Sequence, residues 1–304
     1  MESSASDDGD PGPRTSYYRL VILSFIFLAT CTKPQYQQGK TAIAAGDSLK
    51  RSFGKSIPPK AVAKKQPKKK KKIYLTFDDG PNKGTQNVLD IVQQENVPAT
   101  FFIVGEHVFA SLEQARTWDS LQHADNIEIC NHSYTHAHNR YEKFYQNPDS
   151  VVKDIDLTQE KLHLDNNIVR APGRNSWRID SIRITDIKKS RAAMDSLQNA
   201  GFVVMGWDLE WHYDPKTLIV KNTADELLNQ VDSIFIKGRT KTTDHLVLLA
   251  HDQVYHNAED SLQLRQFVQK LKLKDEYELS LVSSYPGVKV LVDTVRPKVV
   301  SSPQ

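Results

Sequence analysis

Cysteine is scarce: Cys31 and Cys130 are the only two in 304 residues, so at most one disulfide can form and a disulfide-stapled scaffold is excluded. No charge sign dominates either. Lys+Arg number 40 against Asp+Glu 37, a formal net charge of +3, which lacks the global basicity of a nucleic-acid binder and leaves no nucleic-acid partner expected. No apolar run reaches the roughly 20 residues of a membrane-spanning helix. What remains is an ordinary soluble composition, 39% apolar and 25% charged, which sets aside fibrous and wholly disordered chains. This length suits one large domain or two small ones, and a monomer is expected.

Residues 20–29, LVILSFIFLA, follow Arg14 and Arg19 and are too short to span a bilayer, so they read as the apolar region of a secretory signal. The next residues, Leu28-Ala29-Thr30-Cys31, resemble a bacterial lipobox, with Thr30 where Gly or Ala is usual and an acidic leader over residues 1–10. Residues 1–31 are therefore read as a lipoprotein-type signal peptide. Cys31 becomes the lipidated N-terminus, and the protein is placed in the bacterial cell envelope, facing the periplasm or the surface. The plain alternative is a short buried element with an incidental cysteine. Residues 32–72, rich in Lys, Gln, Pro, Ser and Ala, cannot bury enough apolar surface to fold and are read as a disordered tether. Its closing run of lysines at 68–72 is taken as a solvated linker in preference to an anionic-surface binder.

From Ile73 the texture changes to alternating strand and helix patterns. Strands are predicted at 73–77, 99–104, 126–130, 167–170, 202–206, 245–250, 278–282 and 288–292. Helices are predicted at 85–94, 149–162, 186–200, 223–236 and 261–272, the third closed by Gly201. This order over residues 73–292, with a tail at 293–304, predicts an α/β fold with a largely parallel sheet, of a length that suits a barrel. Chemistry in such folds sits on loops after the carboxyl ends of strands.

Two strand-end segments carry the first chemical signal. Thr76-Phe77-Asp78-Asp79-Gly80-Pro81 sets two carboxylates side by side, an arrangement that calls for a compensating cation unless it is a plain Asp-Asp-Gly-Pro surface turn. Asn131-His132-Ser133-Tyr134-Thr135-His136 offers two imidazoles that reach one ion if the segment coils, without the Glu of an H-E-x-x-H metalloprotease. His138 is taken as structural or exposed.

Together these segments resemble the polysaccharide deacetylases, the NodB-homology domains of carbohydrate esterase family four, whose T-F-D-D-G-P and H-[ST]-x-x-H motifs are both present, with Val97-Pro98-Ala99-Thr100-Phe101-Phe102 alongside. The resemblance implies a distorted parallel (β/α) barrel and a metal held by Asp79, His132 and His136. Asp78 would then be the catalytic base. Arg170-Ala171-Pro172-Gly173-Arg174 is similar to the family's third motif without its aromatic, so Arg170 would orient Asp78 and the Gly173 N–H would hold the oxyanion. Gly206-Trp207-Asp208-Leu209-Glu210-Trp211 is similar to the fourth motif but one residue shorter. Asp208, with Glu210 as the open alternative, would orient a histidine acid, and Trp211 would wall the sugar site unless it or Trp207 belongs to the core. Leu248-Leu249-Ala250-His251-Asp252 matches the last motif, with His251 as the acid and Leu249 lining the acetyl pocket.

The expected reaction is hydrolysis of N-acetyl groups on an extracellular polysaccharide, peptidoglycan or another N-acetylglucosamine glycan, by a metal-activated water. Zn2+ is the favoured metal, with Co2+, Ni2+ and Mn2+ compatible with the same ligands. The expected partners are that N-acetylated polysaccharide and, through Cys31, a membrane. The rivals are an O-deacetylase of acetylated xylan-like glycans and a non-catalytic glycan-binding surface lipoprotein.

Overall fold

The computed structural model describes residues 69–288. The signal peptide with its lipidation site, the tether up to residue 68, the strand residues 289–292 and the tail all lie outside the described residues. The first strand, β1 (Lys71–Gly80), is longer than expected, so the last two residues of the supposed tether are sheet instead. Both are fastened by sheet partners: Lys71 pairs with Tyr277 and Lys72 with Glu278, whose carboxylate lies 3.4 Å from the Lys72 ammonium.

The chain continues through α1 (Thr85–Gln94), β2 (Ala99–Ile103), α2 (Leu112–Gln122), β3 (Ile127–Asn131), α3 (Tyr141–Tyr145), α4 (Pro148–Leu162) and β4 (Ile168–Val169). Then come β5 (Trp177–Ile179), β6 (Ile182–Ile184), α5 (Arg191–Asn199), β7 (Val203–Val204), β8 (Leu209–Glu210), α6 (Ala224–Ile236), β9 (His245–His251), α7 (Ala258–Lys272) and β10 (Tyr277–Leu279). The strands form one curled, mainly parallel sheet in the order β6-β5-β7-β4-β3-β2-β1-β9-β8, with β10 also paired to β1. The parallel barrel is thus distorted: it is left open between β6 and β8 among the described residues, and β5 runs antiparallel to both β6 and β7. No helix among the described residues is long and apolar enough to cross a membrane.

Strand alternation divides the core into two faces. Ile73, Leu75 and Phe77 of β1 join Leu246, Leu248 and Ala250 of β9 under α1, α6 and α7. The intervening Tyr74 and Val247 turn to the concave side with Phe102, Cys130, Ile168 and Met205. Because both faces are covered, the central strands read as continuous apolar runs instead of alternating ones. A third cluster packs Val151 and Ile155 of α4 and Met194 and Leu197 of α5 over Val169 and Val204.

Helix ends follow local chemistry. Thr223 accepts from the Glu226 N–H while the Glu226 side chain accepts from the Thr223 N–H, a capping box that starts α6. Asn147 and Asn257 cap α4 and α7 more simply, their side-chain oxygens accepting from the Ser150 and Asp260 N–H groups. The helix predicted at 186–200 starts late, at Arg191, because Lys188–Ser190 form a tighter 3-10 turn ahead of it.

Candidate active site

The same alternation that turns Tyr74 inward also turns Thr76 and Asp78 inward, and it brings Arg170 just after β4 and His251 at the end of β9 to that side. Asp79 should then face away. A register shift in the β1–β2 ladder between Asp78 and Gly80, with Asp79 at φ 78°, breaks the alternation and puts consecutive carboxylates on one side.

Asp78 is buried and held by Arg170, which is fully buried itself. The Arg170 Nη1 donates to Asp78 Oδ1 at 2.7 Å and to Thr76 Oγ1 at 2.8 Å, its Nη2 donates to the Gly206 carbonyl at 3.0 Å, and its Nε to the Met205 carbonyl at 3.2 Å. The guanidinium also lies 4.1 Å from the Phe102 ring centroid. A buried ion pair tolerates its desolvation only when its remaining donors are largely satisfied, and here four of the five guanidinium N–H groups have acceptors.

The histidine loop does coil, but with the left hand. Ser133, His136, Ala137, His138 and Asn139 all have φ between 45° and 69°, a conformation that costs non-glycine residues roughly 1–2 kcal/mol each. Specific side chains hold it. Asn131 Oδ1 accepts from the Ser133 N–H at 2.9 Å, Ser133 Oγ from the His136 N–H at 3.0 Å, and Asp154 from the N–H groups of Tyr134 and Thr135 at 3.1 and 3.2 Å. His138 is exposed.

As a result His132 Nε2 and His136 Nε2 lie 3.4 and 3.1 Å from Asp79 Oδ1. His132 Nδ1 donates to the Arg170 carbonyl at 2.8 Å, which leaves Nε2 as the coordinating nitrogen. Asp79 Oδ1 is buried without a well-formed hydrogen bond, and one ligand atom from each of Asp79, His132 and His136 falls within 4.8 Å of the others. Burial pushes the Asp79 carboxyl up, but the neighbouring imidazoles of His132 and His136 outweigh it and hold the group well below the usual carboxylate range. At His136 burial works against the imidazolium, and Asp79 outweighs it to raise the pKa. A carboxylate and two imidazoles around an orphaned oxygen form a donor set that fits a divalent transition-metal ion, with room for further ligands.

These groups line a cavity of about 250 Å³ together with Gly173, Leu249 and His251. Gly173 has φ 61°, a conformation that favours glycine, and a Cβ there would sit 3.2 Å from the Tyr141 ring and press on it. Its N–H has no acceptor among the described residues. His251 packs against the Tyr213 ring at 5.1 Å, and its Nδ1 is buried without a partner.

Two expected residues stand elsewhere. β8 pairs with β9 in the register Leu209 to Leu248 and Glu210 to Leu249, so Glu210 shares the inward side of Leu249 while Trp211 turns outward to the helix-covered core. Trp211 is 2% exposed, packed on Tyr255 and Phe267, with its indole N–H donating to the Asn222 carbonyl at 3.0 Å. It walls no sugar site; Trp207 lines the cavity instead. Asp208 does not reach His251. Its carboxylate accepts from the backbone N–H groups of Lys241 at 2.7 Å and Val247 at 2.9 Å, the latter four strand residues, or roughly 13 Å, before His251. Burial raises the Asp208 pKa to about 6 against the opposing pull of those two amides. Of the two acidic residues in the fourth motif, Glu210 is the one at the cavity.

Residues 65–176 match the family model described as polysaccharide deacetylase. This match, with the relatives below, supports a polysaccharide deacetylase domain of the NodB-homology, carbohydrate esterase family four type in this chain. Among relatives, it is 29% identical over 150 residues to the putative polysaccharide deacetylase YheN of Bacillus subtilis, covering 47% of each chain. It is 24% identical over 238 residues to the peptidoglycan-N-acetylglucosamine deacetylase of Bacillus cereus, covering 76% of this chain and 78% of that one. The chain spans about half the length of the first of these relatives. The fold is also that of a Streptococcus mutans esterase of carbohydrate esterase family four, with a TM-score of 0.52 at 22% identity over 70% of this chain and 86% of the other.

No motif pointed to Tyr141 or Tyr213, whose rings flank the cavity. Tyr141 lies five residues beyond His136 and packs edge-on against it at 5.7 Å, so it brings an aromatic ring to the cavity whose third motif lacks one.

Proposed function

We propose that this domain is a metal-dependent deacetylase that hydrolyses N-acetyl groups of a glucosamine-containing polysaccharide, with peptidoglycan as the wall polymer in reach of an exported protein. The observation that carries this proposal is the buried Asp79 oxygen facing two imidazole nitrogens beside a carboxylate clamped by Arg170.

Asp79, His132 and His136 would hold the cation, which supplies Lewis acidity to the amide carbonyl and lowers the pKa of water. Asp78 is the base. Its Oδ1 is occupied by Arg170, so Oδ2 is the atom free to accept a proton from the attacking water. The uncommitted Gly173 N–H donates to the developing oxyanion, and Leu249 bounds the space for the acetyl methyl. His251 passes a proton to the departing nitrogen, its ring held by Tyr213. The Leu28-Ala29-Thr30-Cys31 segment supports an anchor at Cys31, with the domain exported to the envelope.

Acetate release from N-acetylglucosamine oligomers and from acetylated xylan, with and without chelator, tests the activity. Release from the oligomers, abolished by chelator and restored by zinc, is expected. Release from the xylan alone would make the chain an O-deacetylase, and binding of oligomers without release by fully metallated protein would make it a glycan-binding module. For the anchor, a lipid-sized mass increase on the mature chain, absent from C31A, is expected; an unmodified Cys31 in cells would contradict it.

A further inference from the structure

A second cavity, of about 420 Å³, adjoins the first and shares the Tyr141 ring with it. The two are also joined through consecutive residues, Gly173 lining one and Arg174 the other. We propose that this second cavity is a subsite for a carboxylate-bearing sugar next to the N-acetylated unit on the same glycan chain. It rests on the deacetylase proposal for the identity of the polymer.

The lining joins aromatic surface to unpaired positive charge. The Arg174 guanidinium carbon sits 5.2 Å from the Tyr145 ring centroid and 5.8 Å from that of Tyr141, so two rings hold it in place. Its Nη1 donates to the Gly173 carbonyl at 2.6 Å, and its Nε is buried without an acceptor. No acidic side chain among the described residues pairs with it. Asp186 spends its oxygens on the N–H groups of Asn175 and Ile187 and on the Ser176 hydroxyl. Glu142, also at this cavity, pairs with Lys189 at 2.7 Å, which leaves Arg174 and Lys188 without an acidic partner among the described residues.

A neutral sugar gives these two cations nothing to bind. A carboxylate matches the guanidinium fork with two parallel hydrogen bonds, while the Tyr141 and Ile187 surfaces accept the apolar face of the ring that bears it. Because Tyr141 walls both cavities, a polymer with its acetamido group near Asp79 and His251 lays its neighbouring unit across this ring.

The test is calorimetric binding to the full-length zinc-loaded chain carrying H251A, which blocks turnover. Three probes are compared: a neutral N-acetylglucosamine tetramer, a tetramer whose alternate sugars carry a lactyl carboxylate, and lactate alone. The acidic tetramer should bind about ten-fold tighter than the neutral one at low salt, with lactate showing no saturable binding. R174Q should reduce that ratio about five-fold and K188Q about two-fold, R174K should lie between parent and R174Q, and 0.5 M salt should collapse the ratio. Equal affinity for both tetramers, or a ratio that neither substitution changes, overturns the subsite. Failure of acetate release by the wild-type chain with the ratio intact would instead overturn the deacetylase proposal alone.

Discussion

The two walls of the active-site cavity are built by different means. On one side stand Asp78, His132, Arg170 and His251, brought together by the pleat and curl of a mainly parallel sheet and locked by buried hydrogen bonds. On the other stand Tyr141 and Tyr213, held by ring contacts with His136 and His251, and Trp207, half-buried against the inner cluster, all carried on loops and a five-residue helix. The sheet-built wall has little freedom to change without unfolding, because Asp78, His132 and Arg170 are buried and hydrogen-bonded to one another through side chain and backbone. The loop-built wall can vary in sequence while the fold persists, so differences in substrate choice belong there.

Substitutions should respond accordingly, and the largest effect belongs to the sheet-built wall. D79A or H132A should lower acetate release by at least about a thousand-fold and abolish stoichiometric zinc binding, measured by assay and by metal content. Retained zinc with lost activity would separate the ligands from the chemistry and break the contrast. R170M should lower stability by about 3–5 kcal/mol in urea unfolding, because it leaves Asp78 buried without its partner. A loss under 1 kcal/mol would mean that Asp78 is solvated after all.

The paired tryptophans sharpen the comparison. W211A removes a core ring and should lower stability by about 3–5 kcal/mol, whereas W207A, which removes a half-buried ring, should cost clearly less and raise KM for oligomers several-fold. Equal stability losses in the two variants would erase the difference between the walls.

Asp208 gives a smaller, pH-dependent effect. Its pKa rises from 3.8 to about 6 on folding, so between these values the folded chain holds more protons than the unfolded one and stability falls as pH rises. That displacement corresponds to about 3 kcal/mol lost across the window. D208N should remove this part of the decline between pH 4 and 6.5, seen as a flatter dependence than the parent's. Parallel curves would refute it. Smallest of all, Y141A should raise KM for oligomers a few-fold with kcat changed less than two-fold.

How much was legible in the residues follows the same division. The motif-bearing strand ends could be read because they are local and period-two alternation fixes their facing: Asp78, Leu249 and His251 line the cavity, and Arg170 is buried behind Asp78 and pairs with it. Asp79 faces it too, although alternation alone would turn it away; only the register shift at Gly80 explains it. The fourth motif leaves Asp208 and Glu210 open as alternatives because facing there depends on the β8–β9 register, a long-range pairing that no local pattern encodes. The same register sends Trp211 into the core. The hairpin of β5 and β6 went unread because strands of three residues carry too few alternations to detect. Helix α2 was missed for want of a strong apolar stripe, since only Thr117 and Leu121 are fully buried. Tyr141 belongs to no motif, and Arg174, at the end of the third-motif segment, takes its place from the Tyr141 and Tyr145 rings roughly thirty residues earlier.

The most direct measurement is anomalous diffraction at the zinc edge from crystals of the metal-loaded chain. One ion bound jointly by the carboxylate of Asp79 and the imidazoles of His132 and His136, with Asp78 still paired to Arg170, is the expected result. Zinc bound elsewhere, or those three side chains left apart in zinc-saturated protein, would contradict the shared-cation site on which the proposed hydrolysis depends.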